Sequence, residues 1–137
     1  MGNYVKLSKV VEKLNLKNLT PDVDMTEKKV MVPDINRPAL QLTGFFEHFA
    51  YERVQLIGCV EYTFLENVEE DEKEKIYDML LSYKIPCIIF CRNLKPDDSL
   101  IEKANKANVP VFSTETPTSA FSAEIIRWLN VELAPCI

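Results

Sequence analysis

The sequence predicts an α/β domain, layered α/β/α around a mostly parallel sheet of about four strands. Three observations lead there. First, Ile85 to Cys91 is an apolar run with Pro86 near its start and Arg92 just beyond its end; this marks a strand covered on both faces. Second, Val109 to Phe112 reads as another strand, and between the two lies a helix that starts at Asp97 or Asp98 and carries Leu100, Ile101 and Ala104. Third, Thr116-Pro117 is a helix start, after which Phe121, Ile125, Trp128 and Leu129 line one face. Strand, helix, strand, helix at this spacing implies parallel pairing with right-handed crossovers. Arg53 to Cys91 supplies one more such unit.

The earlier elements follow in order. Leu7, Val10, Val11 and Leu14 recur at helical spacing. A polar turn is expected around Thr20 to Thr26, then a short strand over Val30 to Val32. In Asp34 to Gly44, Pro38 suits the first position of a short helix, where its missing N–H costs nothing. Gly44 suits the left-handed stop, and Asp34 or Asn36 could accept from the helix-start amides. Arg53 to Ile57 alternates, with Val54 and Leu56 on one face, and Gly58 ends it. Glu61 to Val68 reads as helix. The acidic run Glu66 to Glu74 leads into the stripe Ile76, Leu80, Leu81. Acids at a helix start favour the macrodipole, so the run reads as a solvated face and not as a metal site. A calcium loop needs a central glycine, which this run lacks.

The 137 residues form one domain, 1–137, without repeat or low-complexity linker. A chain of this size buries roughly 68% of the surface its unfolded form exposes. Hydrophobic residues are 47%, charged residues 27% and the net charge is −5, a globular balance. Acidity argues against DNA or RNA as the main partner. The longest apolar run is far below a membrane span. The chain opens on no secretory leader, and Lys6 breaks the myristoylation pattern at Gly2. The expectation is a soluble cytoplasmic protein with no membrane partner.

Three glycines, Gly2, Gly44 and Gly58, cannot build a phosphate cradle, which needs several close together. The single His48 has no nucleophile-elbow motif to serve and reads as a turn or interface residue. Cys59, Cys87, Cys91 and Cys136 are expected to be free thiols. Cys87 and Cys91 on one strand would sit roughly 13 Å apart at the usual rise, and a disulfide needs about 7 Å or less. No C-x-x-C zinc pair occurs. No catalytic residue, cofactor or metal is assigned to this chain.

The segment D-I-N-R-P-A-L-Q-L-T-G-F-F, followed by E-R-V-Q-L-I-G, resembles the amino-terminal domain of the bacterial HPr kinase/phosphorylase family. Asp34, Ile35, Arg37, Pro38, Leu40, Gly44, Arg53, Gln55, Leu56 and Gly58 match its pattern. P-C-I-I-F-C-R-N-L-K-P, V-P-V-F-S-T and the closing V-E-L-A-P resemble later family segments, so the likeness spans nearly the whole chain. Asn36 stands where the family usually has Ser, and Ala39 where it usually has Gly. The implied fold is similar to the amino-terminal domains of Mur ligases. The implied full-length protein is a cytoplasmic homohexamer that phosphorylates a serine of the phosphocarrier HPr with ATP or pyrophosphate and magnesium. It reverses the reaction by phosphorolysis in carbon catabolite control. Its catalytic apparatus lies in a carboxy-terminal P-loop kinase domain beyond the residues matched here.

This resemblance implies a non-catalytic assembly or regulatory domain whose partners are the kinase domain, further copies of itself and, through the kinase, HPr. The other reading is a binding module for a nucleotide or phosphorylated sugar, with Asp34, Asn36, Arg37 and Arg53 as its polar site. Against it, an arginine beside a turn commonly pairs with a near carboxylate such as Asp34 or Glu52. Phe45, Phe46 and Phe49 are the candidate interface; with Tyr51 they form an aromatic cluster suited to core or interface packing.

Overall fold

A computed structural model describes residues 3–135. A central five-stranded sheet carries helices on both faces. It contains β2 (Lys17–Asn18), β4 (Ile35–Asn36), β5 (Val54–Ile57), β6 (Ile88–Phe90) and β7 (Val111–Ser113), in the order β2-β7-β6-β5-β4. β4 to β7 run parallel, in register Ile35↔Val54, Leu56↔Ile89 and Ile89↔Phe112; only β2 is antiparallel, placing Lys17 opposite Ser113. A separate ribbon pairs β1 (Val5–Lys6) with β3 (Lys29–Val30).

Each central strand feeds both cores because its side chains alternate. Val54, Leu56, Ile89 and Phe112 meet α1 (Leu7–Lys13) and α6 (Thr118–Glu132) through Leu7, Val10, Phe121, Ile125 and Leu129. Ile57, Ile88, Phe90 and Val111 face the opposite layer. That layer holds α2 (Ala39–Leu42), α3 (Cys59–Glu66), α4 (Glu70–Leu81) and α5 (Asp98–Ala107). The sequence-derived stripes on α1, α4, α5 and α6 therefore point inward as expected, with Trp128 half-buried at the edge.

Several expectations need correction. The fourth parallel strand is Ile35–Asn36, read from sequence as part of a turn; Val30 pairs instead with Val5 in the ribbon. β2 adds a fifth strand. Two-residue strands carry no periodicity, so pairing alone creates them. Pro38 is the residue before α2 and not its first residue, and neither Asp34 nor Asn36 caps that helix. Gly44, with φ +96°, does stop it. Gln55, on the polar side of the alternation, is fully buried because β5 is central and covered on both faces.

The thiols follow the strand. Cys87 and Cys91 flank β6, both buried and free in the core shared with α1 and α6; Cys59 is free and exposed at the start of α3. Cys136 lies outside the described residues. Burial pushes both buried thiols up, Cys91 to about 11 despite opposing help from Thr118 and Arg37. In the native chain a thiol reagent should therefore label Cys59 promptly and Cys87 and Cys91 only on unfolding. The folded state holds these protons more tightly than the unfolded state. Their contribution to stability is intact below the ordinary thiol value of 9.0 and shrinks as pH rises toward 11. Melting temperature measured across that range should fall, and Cys91→Ala should flatten the fall.

Candidate functional site

The residues matched by the D-I-N-R-P segment converge at the end of β5. Gly58 leads into α3, and Glu61, three residues on, turns its carboxylate back to accept the Gly58 N–H at 2.7 Å. Gly58 has no side chain to return the bond, so this is one half of a capping box. The same Glu61 oxygen accepts Nη2 of Arg37 at 2.9 Å and its Nε at 3.3 Å. Glu61 is 3% exposed and Arg37 39%. The guanidinium thus neutralises a buried carboxylate from the solvent side. A Cβ on Gly58 would lie 2.5 Å from Thr118 Oγ1 and 2.7 Å from Arg37 Nη2. Close approach, with no positive φ, is what demands glycine here. The β4–α2 connection, the start of α3 and the start of α6 meet at this point.

Beside it runs an amide chain. Asn36 Nδ2 donates to Gln55 Oε1 at 2.7 Å and to Gln41 Oε1 at 3.4 Å. Gln55 Nε2 donates to the carbonyls of Arg53 at 2.8 Å and Ala50 at 3.1 Å. Asp34 accepts the Ile35 N–H at 2.8 Å and pairs with Arg53 at 3.3 Å in a half-exposed setting. The structure brings Asp34, Asn36, Arg37 and Arg53 together, but in three units, Asn36 belonging to the amide chain. Arg53 pairs with Asp34; Arg37 pairs with Glu61 rather than with Asp34 or Glu52. Sequence reasoning missed Glu61 and Gln55. The only sequence signal for Glu61 was its spacing three residues past a helix-start glycine. No buried side-chain nitrogen or oxygen among the described residues lacks a partner.

The candidate interface aromatics divide. Phe49 is buried, and it meets Tyr83 edge-on at 4.9 Å; Phe46 is half-buried and stacks on Tyr83 at 5.7 Å. Both fasten the 45–53 loop to Tyr83, just past the end of α4. Phe45 alone of the three is exposed, at 47%. His48 sits in the left-handed region and is open to solvent, with Glu47 3.8 Å away.

A second polar region lies at the carboxyl ends of β6 and β7. The chain leaving β6 turns to the α5 layer; the chain leaving β7 turns to the opposite, α6 layer. The ends part and leave a crevice, with Lys17 of β2, Asn93 and Ser113 at its centre. Arg92 and Asn93 are both left-handed, and their N–H groups donate to the Thr116 and Thr114 carbonyls at 3.1 and 2.9 Å. Tyr62 holds the Lys95 carbonyl at 2.6 Å, and Tyr77 holds Asp97 at 2.6 Å. Burial opposes charge on Lys73, but its hydrogen bond to Asp97 and the charges of Asp97 and Glu70 raise its pKa overall. The β6–α5 loop is therefore fixed at several points.

The sequence profile described as HPr Serine kinase N terminus matches residues 5–129. The chain belongs to that family. An HPr kinase/phosphorylase from Lachnoclostridium phytofermentans is 50% identical over 133 residues, covering 97% of this chain and 43% of the relative. One from Alkaliphilus metalliredigens is 35% identical over the same length, with the same coverage. The chain thus corresponds to an amino-terminal domain and spans less than half the length of these HPr kinase/phosphorylases. A solved structure is similar at a TM-score of 0.62 and 16% identity, covering 94% of this chain and 50% of that one. It contains the CBS and DRTGG domains of the regulatory region of Clostridium perfringens pyrophosphatase, complexed with its activator diadenosine tetraphosphate. At that identity the likeness shows the α/β fold alone.

Two sets of variants separate the braces. Arg37→Ala strands the buried Glu61 charge and should cost ~1–3 kcal/mol, less than a wholly buried pair because water reaches the gap. Asp34→Ala removes an exposed pair and one local bond, so about 1 kcal/mol or less is expected. With no shared partner, the two losses should nearly add in denaturant titrations. Gly58→Ala should cost ~1–3 kcal/mol by displacing Thr118 and Arg37; crowding predicts that Thr118→Ala recovers part of that loss.

Proposed function

We propose that this chain is the non-catalytic assembly and regulatory domain of an HPr kinase/phosphorylase. The observation that carries this is the family match over residues 5–129, together with relatives that extend well beyond the matched region. In this reading a carboxy-terminal kinase domain transfers phosphate to and from a serine of HPr, using ATP or pyrophosphate with magnesium, in carbon catabolite control. The protein is cytoplasmic and self-associates, in the full enzyme as a hexamer. Among the described residues no helix is long and apolar enough to cross a membrane.

The chain's own residues do not fit a magnesium-nucleotide transfer centre. Gly44 ends a helix and Gly58 is packed against Thr118 and Arg37, so neither opens a backbone cradle. Among the described residues no three His, Cys, Asp or Glu side chains gather as a metal site. No phosphoryl-transfer step is assigned to this domain.

The test compares the full-length enzyme, the enzyme lacking residues 1–137, and this chain alone, using labelled ATP and HPr. The chain alone should transfer no phosphate. The shortened enzyme should retain transfer while its oligomeric state or response to effectors changes. Transfer by the chain alone, or a shortened enzyme identical in assembly and regulation, would overturn the proposal.

A further inference from the structure

The crevice at the ends of β6 and β7 is not used by the braces described above. In open α/β sheets, ligands settle where neighbouring strands send their chains to opposite layers, because the parting loops leave a cleft. Here that point is β6/β7. One cavity of about 570 Å³ opens on the β6–α5 side, and a second of about 420 Å³ adjoins it, sharing Lys17, Asn93 and Ser113. Both fall in the usual size range of small-molecule sites.

We propose that this crevice binds a mononucleotide. Lys17 and Lys95 line the larger cavity, and neither has a carboxylate partner within 4.0 Å among the described residues. Two unpaired ammonium groups facing one cleft suit a phosphate. Leu19, Leu94 and Ile101 supply an apolar wall for a base. Asp98 on the same rim is placed to accept from sugar hydroxyls, the role a carboxylate takes toward ribose in dinucleotide sites. The adjoining cavity sets Lys13 against both Glu115 and Glu124, whereas the larger one sets Lys95 against Asp98, so the phosphate belongs on the Lys95 side. The net charge of −5 and the nearby Glu115 and Glu124 disfavour a polynucleotide, which needs a continuous basic track.

The walls are set in advance. Lys17 is registered against Ser113 by strand pairing, and the loop bearing Lys95 is held by Tyr62 and through Asp97 by Tyr77. Little ordering is left for a ligand to impose, which favours binding.

The experiment titrates AMP, GMP, CMP and UMP into the chain, followed by calorimetry and amide NMR shifts. Adenosine and inorganic phosphate test the two halves separately. At least one mononucleotide should bind saturably and shift the amides of Lys17, Asn93, Lys95 and Ser113. Its nucleoside and free phosphate should each bind at least ~tenfold more weakly. Lys17→Ala with Lys95→Ala should lose ~tenfold or more in affinity at unchanged melting temperature. The corresponding pair of Lys→Arg changes keeps the charge and should keep binding, which covers the case of a misfolded alanine variant. Any of these outcomes overturns the proposal: no saturable binding up to about 5 mM, equal binding of the nucleoside, shifts confined to another face, or affinity unchanged without the two lysines. Capture of a phosphopeptide in the crevice in place of any mononucleotide would overturn it equally.

Discussion

The Glu61 carboxylate is the group on which the rest of the arrangement rests. A charge only 3% exposed would be costly alone. It is tolerated because it answers two needs at once. It satisfies the Gly58 N–H at the head of α3 and it receives Arg37 from the β4–α2 connection. That doubly bonded carboxylate fixes where β5 ends, where α3 begins and how closely α6 approaches. Gly58 completes the device by leaving room for Thr118 and the guanidinium in a space a methyl group would fill. The D-I-N-R-P and E-R-V-Q-L-I-G segments thus act together because their side chains meet across two neighbouring strands.

The sheet imposes a second asymmetry. Helices α2 to α5 occupy one face, and α1 with α6 the other. Everything between β4 and β7 crosses on the first face, and only the exit from β7 changes side. The polar cleft at the ends of β6 and β7 is a consequence of that change. Its walls come from R-N-L-K-P after β6, from the end of β7 and from the short antiparallel β2. The braced end of β5 and the open end of β6/β7 therefore divide the carboxyl edge of the sheet. One half is filled by internal pairs, and the other leaves lysines facing solvent.

How much was legible follows from how each feature is encoded. Long apolar repeats announce themselves, so the stripes Leu7-Val10-Leu14 and Phe121-Ile125-Leu129 located two helices and their buried faces. The apolar density of Ile85 to Cys91 announced a strand covered on both sides. The glycine stop at Gly44 was readable because few residues adopt its positive φ without strain. By contrast, β1, β2 and β4 are two residues long and exist only because a partner strand lies beside them. The aromatic segment was ambiguous for a related reason: whether Phe46 and Phe49 face a partner or the interior depends on Tyr83, far along the chain.

The sequence by itself determined the class of fold and the family. These depend on local periodicity and on matched motifs. Tertiary structure alone decided which charges pair. Arg37 had Asp34 and Glu52 as candidate partners near the turn, yet it chose Glu61 because parallel pairing sets the end of β4 beside the end of β5. It also decided that Gln55 is interior, since a polar residue in an alternating strand is solvent-facing only if one face of the sheet is bare. Lys17, Lys95 and Ser113 share one cleft for the same reason. Strand register brings together residues that no local spacing relates.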